Sequence, residues 1–135
     1  MNFFVDRCLP PSLAEMLAVY TRGVHLVRHL SDDDRFRHNT PDEEWMRTLA
    51  ADDPPWIVIT RDINITQNSA ERVVVRDVKL QFFFLANQWG EMPINEMVWK
   101  FFKVWPDILR EATDRKGRIF VVSGSSNLRI KRLHV

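Results

Sequence analysis

The sequence has little cysteine, little glycine and no long hydrophobic run. Of its 135 residues only Cys8 is a cysteine, so no disulfide can form within the chain, which suits a reducing compartment. Four glycines are too few for a phosphate-cradling loop, and neither a dinucleotide-binding nor a P-loop pattern occurs. No apolar run approaches the ~20 residues needed to cross a membrane, and no signal-peptide pattern is present. We therefore expect a cytoplasmic protein that does not enter a membrane.

Charge is balanced over the whole chain but not along it. The net charge is +1, yet residues 31–53 carry eight acidic residues against three arginines. Residues 115–135 carry six lysines or arginines and no acid. This distribution is compatible with a metal-loaded site beside a phosphate-binding surface, and equally with two ordinary solvated faces.

Hydrophobic runs alternate with helical patterns, which predicts an α/β fold with a parallel sheet. The length and the 45% hydrophobic content fit a single domain over residues 1–135. Capping patterns at Ser12 with Glu15 and at Thr40 with Glu43 mark two helix starts. The predicted strands are residues 2–6, 24–30, 56–60, 80–86 and 118–123, and the predicted helices are 12–21, 40–51, 70–77 and 94–112.

Two aspartates directly follow predicted buried strands. Asp6 follows Phe-Phe-Val, and Asp62 follows Ile-Val-Ile-Thr-Arg. Open α/β sheets bind their ligands at the ends where parallel strands finish. A carboxylate beside a core strand is costly unless it is paired or bound to a cation. Each aspartate is therefore a candidate metal ligand, or else the partner of a neighbouring arginine, Arg7 or Arg61.

The second helix supplies a third acid. Helical periodicity places Asp42 on the inward, otherwise apolar stripe, Glu43 at the edge of that stripe and Glu44 outside it. An inward acid in a first turn either complements the helix dipole or belongs to a site. Three carboxylates brought close together raise one another's pKa unless a cation is present. Mg²⁺ or Mn²⁺ suits such oxygen ligands and supports phosphodiester hydrolysis.

Other catalytic groups compete weakly with these acids. Cys8 lies near no evident base, so we expect an unreactive thiol. His25 and His29 fall on one face of a predicted strand, but four residues at ~3.3 Å each hold them too far apart to share a zinc ion.

Three short segments resemble motifs of the PIN-like domains, many of which are ribonuclease toxins of toxin–antitoxin pairs. Residues 3–14 contain Phe-Phe-Val-Asp followed by Leu-Pro-Pro-Ser-Leu-Ala, similar to the family's opening. Thr-Pro-Asp-Glu-Glu-Trp at 40–45 resembles the second acidic segment, and Ile-Val-Ile-Thr-Arg-Asp at 57–62 resembles the Thr-Arg-Asp strand end. The motif-bearing part covers roughly the first half of the chain.

The resemblance implies a three-layer PIN-like domain with a central, mostly parallel five-stranded sheet flanked by helices. It also implies Mg²⁺ or Mn²⁺ as cofactor, RNA as substrate and a cognate antitoxin protein as partner, with a homodimer as a further expectation. Trp89, Trp99 and Trp105 are candidate anchors for a protein partner, although core packing is the ordinary role of such residues.

The site residues carry over by motif. Asp6, Asp42 and Asp62 match the metal-site acids, and Glu43 replaces Asp42 if the register shifts. Many relatives have a further acid where this chain has Asn64, a neutral and weaker ligand, and Asp77 is a candidate substitute. The candidates for binding the RNA backbone are Arg61, Arg115, Lys116, Arg129, Lys131 and Arg132, of which the tail residues also suit a purely solubilising role.

Two rival functions remain open at this point. Asn64 favours a PIN-like module with a weakened metal site that binds RNA or protein without cleavage. A phospho-receiver also uses acids at strand ends. Such domains usually need an acid pair after the first strand and a lysine after the fifth, whereas here Arg7 follows Asp6 and Ser-Gly-Ser follows the fifth strand.

Overall fold

Six strands form one sheet that carries helices on both faces. The structure, a computed structural model, describes residues 1–62 and 69–133. The strands are β1 (Asn2–Val5), β2 (Leu26–His29), β3 (Ile57–Thr60), β4 (Gln81–Leu85), β5 (Ile119–Val122) and β6 (Ile130–Leu133). The helices are α1 (Pro11–Tyr20), α2 (Asp42–Ala50), α3 (Ser69–Asp77) and α4 (Ile94–Asp114), with short 3-10 helices at Leu30–Asp32 and Asn87–Glu91.

The sheet is parallel apart from its last strand. Its order is β2-β1-β3-β4-β5-β6, and β6 alone runs antiparallel to its neighbour. Val5 lies opposite both His29 and Ile59, so β1 and β3 finish side by side. We call the end of the sheet where the parallel strands finish the carboxyl edge, and the opposite end the amino edge. Residues that directly follow β1 and β3 therefore meet at the carboxyl edge.

The two sheet faces have separate hydrophobic cores. Helices α1 and α4 cover one face, and α2 and α3 cover the other. The position of β4 between the two cores explains why its sequence is continuously apolar. Phe83 packs on the first face, while Phe82 and Phe84 pack on the second. Because side chains alternate along a strand, a central parallel strand needs apolar residues on both sides. The result is the three-layer α/β architecture that was predicted.

The strand and helix predictions are largely confirmed, with two differences in the sheet. Strand β2 is shorter than residues 24–30, because Val24 and His25 instead donate their backbone N–H groups to Thr21 O at 2.9 and 3.0 Å. Strand β6 was not predicted, so the sheet has six strands rather than five. Its Ile-Lys-Arg-Leu sequence has exposed basic residues at its centre, and only the pairing with β5 identifies it as a strand.

The predicted capping boxes are wrong. Pro10 and Pro41 occupy the N-cap positions of α1 and α2, and neither helix start has a side-chain cap. The Thr40 hydroxyl instead accepts a hydrogen bond from Arg37 N at 2.7 Å, closing the turn before α2. The fixed φ of proline is already compatible with a helix start, so neither helix depends on a hydroxyl cap.

The longest helix, α4, has 21 residues and contains Pro106 without ending there. Trp105 on this helix and Trp89 before it are buried, whereas Trp99 is 53% exposed. Two of the three tryptophans proposed as anchors are therefore core residues. Within residues 1–62 and 69–133, no helix combines the length and the apolar character required to span a membrane.

Candidate active site at the carboxyl edge

Asp6 lies at the end of β1 and is only 1% exposed. Its backbone N–H donates to Ile59 O at 3.0 Å, which continues the pairing of β1 with β3 beyond the last strand residue. Its Oδ1 accepts from Arg7 N at 2.7 Å, and its Oδ2 accepts from Thr60 Oγ1 at 2.9 Å. Both carboxyl oxygens are thus fixed by groups on the two central strands.

Burial raises the pKa of Asp6 above its ordinary value. The hydrogen bonds from Thr60 and from Arg7 N act in the opposite direction, while the negative charge of Asp42 adds to the rise. Desolvation is the largest of these effects, as expected for a carboxyl group removed from water. The fold therefore maintains a carboxyl group that becomes charged less readily than an exposed aspartate.

Thr60 connects the groups around Asp6. Besides donating to Asp6, its hydroxyl accepts from Asp62 N at 3.1 Å and lies 3.3 Å from Cys8 Sγ. Cys8 Sγ in turn accepts from Arg61 N at 3.1 Å. Burial and the nearby Asp6 charge raise the pKa of the Cys8 thiol to about 11. Cys8 is therefore a packing and hydrogen-bonding residue rather than a nucleophile, because the thiolate is the reactive form.

Asp42 is the first residue of α2 and lies on its inward side, as predicted. Its Oδ1 accepts from Trp45 Nε1 at 2.8 Å and from Arg7 Nη2 at 2.7 Å. Arg7 also donates to His38 O at 2.6 Å, so it joins the end of β1 to the loop before α2. The ion pair of Arg7 is thus with Asp42 and not with its sequence neighbour Asp6. Glu43 is exposed.

Glu71 is a further acid in this region that the sequence analysis missed. It lies in the first turn of α3, and burial is the main reason that its pKa is raised. The charges of Asp42, Asp62 and Glu43 raise it further, so each of these three acids lies within electrostatic reach of Glu71. Its signal in the sequence was its place in the first turn of the helix that follows β3.

Two acids of the segment 31–53, Asp33 and Asp52, have a different role. Arg35 donates to Asp33 at 2.9 and 3.0 Å and to both carboxyl oxygens of Asp52 at 3.0 Å. These hydrogen bonds lower the pKa of both aspartates. The Arg35 cluster ties the loop after β2 to the end of α2, so these two acids are structural.

The donor chemistry of the site suits a hard divalent cation, because its ligands are carboxylate oxygens. In the described parts, 1–62 and 69–133, no three histidine, cysteine, aspartate or glutamate side chains converge closely enough to hold one metal ion. Asp77 ends α3 at the amino edge and is not brought to the other acids. Asn64 lies outside the described residues.

The candidate RNA-binding residues are divided between the two edges. Arg61 follows β3 at the carboxyl edge, where its guanidinium lies so close to Gly90 that a Cβ there would overlap it. Arg129 precedes β6 at the same edge, and its carbonyl accepts from Ser123 N at 2.8 Å. Lys131 and Arg132 lie along β6, and Arg132 pairs with Glu111 at 3.1 Å. Arg115 and Lys116 follow α4 at the amino edge.

The architecture is that of an α/β protein with its candidate site where the parallel strands finish. A family model described as a PIN like domain matches residues 1–87, which run from β1 past β4 and include all four of Asp6, Asp42, Asp62 and Glu71. The chain belongs to the PIN-like domain family. No curated protein and no solved structure gives a significant match.

Proposed function

We propose that this protein is a metal-dependent ribonuclease that hydrolyses RNA phosphodiesters at the carboxyl edge. PIN-like domains are generally nucleases, which supports the reaction class. The main structural support is that Asp6 and Glu71 both have raised pKa values and that the charge of Asp42 contributes to both. Carboxylates held together in this way are stabilised by a cation rather than by solvent.

Each acid has a distinct place in the proposed site. Asp6, Asp42 and Asp62 are the acids proposed to bind Mg²⁺ or Mn²⁺. To share one ion they would have to move closer together than they lie in this structure, and Glu71 would add negative charge to the same region. Thr60 and Arg7 N orient the Asp6 carboxyl group, each using one of its oxygens. The metal, when bound, would supply phosphate polarisation and water activation.

The proposed RNA contacts come from cations at the same edge. Arg61 is held against Gly90 beside the acids, and Arg129 lies across the sheet at the end of β5. Cations so placed would neutralise backbone phosphates as the RNA approaches the acids. The PIN-like motifs also support a toxin role with a protein antitoxin. The exposed Trp99 and the stacked Tyr20 and Phe102 rings, 4.7 Å apart, are candidate anchors for that partner.

One observation favours the second candidate function, a PIN-like module that binds RNA or protein without cleaving it. Arg7 Nη2 lies 2.7 Å from Asp42 Oδ1, so a positive charge already compensates this acid. A metal ligated by that oxygen would have to displace Arg7. If this exchange is unfavourable, the carboxyl edge remains metal-free and serves recognition alone.

The experiment that tests the nuclease proposal is a Mn²⁺ titration by calorimetry. It compares the wild type with Asp6→Asn and Asp62→Asn, and circular dichroism monitors folding. Glu44→Gln is the matched control, because Glu44 lies in the same first turn as Asp42 but is exposed and directed outward. We expect both aspartate variants to lose affinity at least about tenfold and the control to change less than about twofold.

An RNA-cleavage assay with and without a chelator completes this test. Cleavage that requires Mn²⁺ and disappears in both aspartate variants supports the nuclease. A wild type that does not bind millimolar Mn²⁺ contradicts it and favours the recognition module. Metal binding without cleavage of any RNA tested also contradicts the proposed reaction.

A further inference from the structure

The amino edge, at the opposite end of the sheet from the acids, contains a cavity. This cavity of about 270 Å³ is formed by the segments that lead into β3, β4 and β5 and by the end of α4. Buried Ile57 and Ala112 and exposed Pro54 and Pro55 supply its apolar lining. The cavity is separated from Asp6 and Asp62 by the length of the central strands, about 13 Å for four residues.

The charged residues that line this cavity are all cations. They are Lys79, Arg115 and Arg118, and no aspartate or glutamate lines it. Arg118 is held in place because its Nη1 donates to Val75 O and Leu80 O at 3.2 and 3.1 Å. Lys79 and Arg115 are exposed, and their side chains form no hydrogen bond or ion pair with any residue in the described ranges. The cavity therefore combines one fixed cation with two exposed cations that have no such partner among the described residues.

The backbone at the two exposed cations, Lys79 and Arg115, is unusual. Lys79 has a φ of 54° and Arg115 a φ of 55°, and no other non-glycine residue in the described parts of the chain has a positive φ. Arg115 directly follows α4 in the left-handed conformation, a position where glycine is the usual residue. Residues held in unfavourable backbone conformations concentrate at functional sites. Both strained residues line the same cavity, and both carry a positive charge.

We propose that this cavity binds a phosphate monoester. Arg118 supplies a fixed positive charge, with its Nη atoms already donating to the carbonyl oxygens of the chain before β4. The two exposed cations would supply most of the hydrogen bonds to a phosphate dianion. The prolines and Ile57 would contact the uncharged part of the ligand. The volume is below the ~300 Å³ at which pockets for drug-sized ligands begin, so the site holds a phosphate with a body about as large as a sugar. The proposal is independent of metal binding at the carboxyl edge.

Calorimetry with ribose 5-phosphate, inorganic phosphate and ribose tests this proposal. The variants are Lys79→Gly and Arg115→Gly, and the control is Lys116→Gly. Lys116 adjoins Arg115 but does not line the cavity, so the control removes the same charge next to the site. We expect ribose 5-phosphate to bind the wild type and ribose not to bind. Each cavity variant should weaken the binding of ribose 5-phosphate about tenfold, and the control variant should weaken it less than about twofold.

The same variants provide a second readout without ligand. Glycine adopts a positive φ freely, so Lys79→Gly and Arg115→Gly should raise the melting temperature while weakening phosphate binding. Opposite effects on stability and binding are expected if the strained cations are retained for a ligand. Absence of phosphate-dependent binding to the wild type, or an equal loss in Lys116→Gly, overturns the proposal.

A comparison of RNA ends identifies the source of the phosphate. A short RNA with a 5′-phosphate is compared with the same RNA ending in a 5′-hydroxyl. If the phosphorylated RNA binds more tightly than ribose 5-phosphate and loses this advantage in Lys79→Gly, the ligand is an RNA end. If only ribose 5-phosphate binds, the ligand is a free metabolite. The Mn²⁺ titration is unaffected by either result.

Discussion

The two ends of the sheet have opposite chemistry. At the carboxyl edge, Asp42 lies within electrostatic reach of both Asp6 and Glu71, and Arg7 is the cation that pairs with Asp42. At the amino edge, Lys79, Arg115 and Arg118 line a cavity whose lining, in the described parts of the chain, contains no aspartate or glutamate. The acids of the candidate site therefore lie where strands end and helices begin, and the cations of the cavity lie after the ends of α3 and α4.

Part of this separation follows from helix direction. In a parallel sheet the crossover helices start at the carboxyl edge and end at the amino edge, so their positive ends face the acids and their negative ends face the cations. Asp42 and Glu71 are in first turns, and Arg118 binds the last carbonyls of α3. The positive end of a helix favours the charged form of an acid. At Glu71, burial and the charges of Asp42, Asp62 and Glu43 act in the opposite direction and raise the pKa.

The largest expected effect is that the two edges respond independently to their ligands. Asp62→Asn should weaken Mn²⁺ binding at least about tenfold and leave ribose 5-phosphate binding within about twofold. Lys79→Gly should do the reverse, because about 13 Å of strand separates the sites. Calorimetry with both ligands on both variants checks this. If each variant weakened the binding of both ligands equally, the two edges would form one coupled site.

The next largest effect concerns Thr60, the connecting residue of the carboxyl edge. Thr60→Val removes the hydroxyl that serves Asp6 and Asp62 N, so the free energy of unfolding should fall by about 2 kcal/mol. Thr48→Val is the matched control. It removes an exposed hydroxyl bonded to Glu44 O and should cost less than about 0.5 kcal/mol. Urea denaturation measures both. Equal losses would mean that Thr60 supports packing and not the acids.

A smaller effect is expected for Arg7, the cation that lies among the acids. Arg7→Met removes the ion pair with Asp42, which should lower stability by about 1 kcal/mol and raise Mn²⁺ affinity about fivefold. Arg47→Met, an exposed cation on α2, controls for the loss of charge. A fall in Mn²⁺ affinity in Arg7→Met would show that Arg7 shapes the site and does not compete with the metal.

The smallest effect is a change in how stability depends on pH. In the unfolded chain Asp6 titrates near 3.8, and burial raises its pKa in the folded protein. Its contribution to stability is therefore complete below pH 3.8 and is lost as the pH rises through the raised pKa. Asp6→Asn has no such loss. The free energy of unfolding of the variant minus that of the wild type should therefore increase with increasing pH.

Denaturant titrations at several pH values, with a chelator present, measure this difference. Glu71→Gln should give the same sign, because burial also raises the pKa of Glu71 above 4.5. Glu44→Gln corrects for the removal of one exposed charge. If the free energy of unfolding of the variants minus that of the wild type decreased with increasing pH, the raised pKa values would be contradicted.

Much of the fold could be predicted because its strands are short, apolar and directly followed by chemically distinctive residues. The segment that becomes β4 could be recognised from its continuous apolar residues, which are expected of a strand buried on both faces. Asp6 could be recognised from its place after a similar apolar run. Strand β6 could not be recognised, because an edge strand with exposed Lys131 and Arg132 resembles a basic tail until its partner is known. Helix starts were misassigned because proline replaces the expected hydroxyl caps.

Part of the site could also be predicted, because some of its residues have a local signal in the sequence. Asp42 was found from its helical periodicity, which is local information. Its partner Arg7 is 35 residues away in sequence, and the pairing depends on how the loop before α2 folds back. Glu71 was not singled out because an acid in the first turn of a helix is common and carries no local signal for a site. The metal, the RNA and the antitoxin remain predictions.

The position of Cys8, the only cysteine of the chain, makes it an internal reporter for the carboxyl edge. Its thiol lies 3.5 Å from Asp6 Oδ2 and 3.3 Å from Thr60 Oγ1. With a pKa of about 11, only about one thiol in ten thousand is ionised at neutral pH. Alkylation should therefore be slow and limited by local opening between β1 and β3. Its rate measures how often this edge opens, and any ligand that closes the edge should slow it.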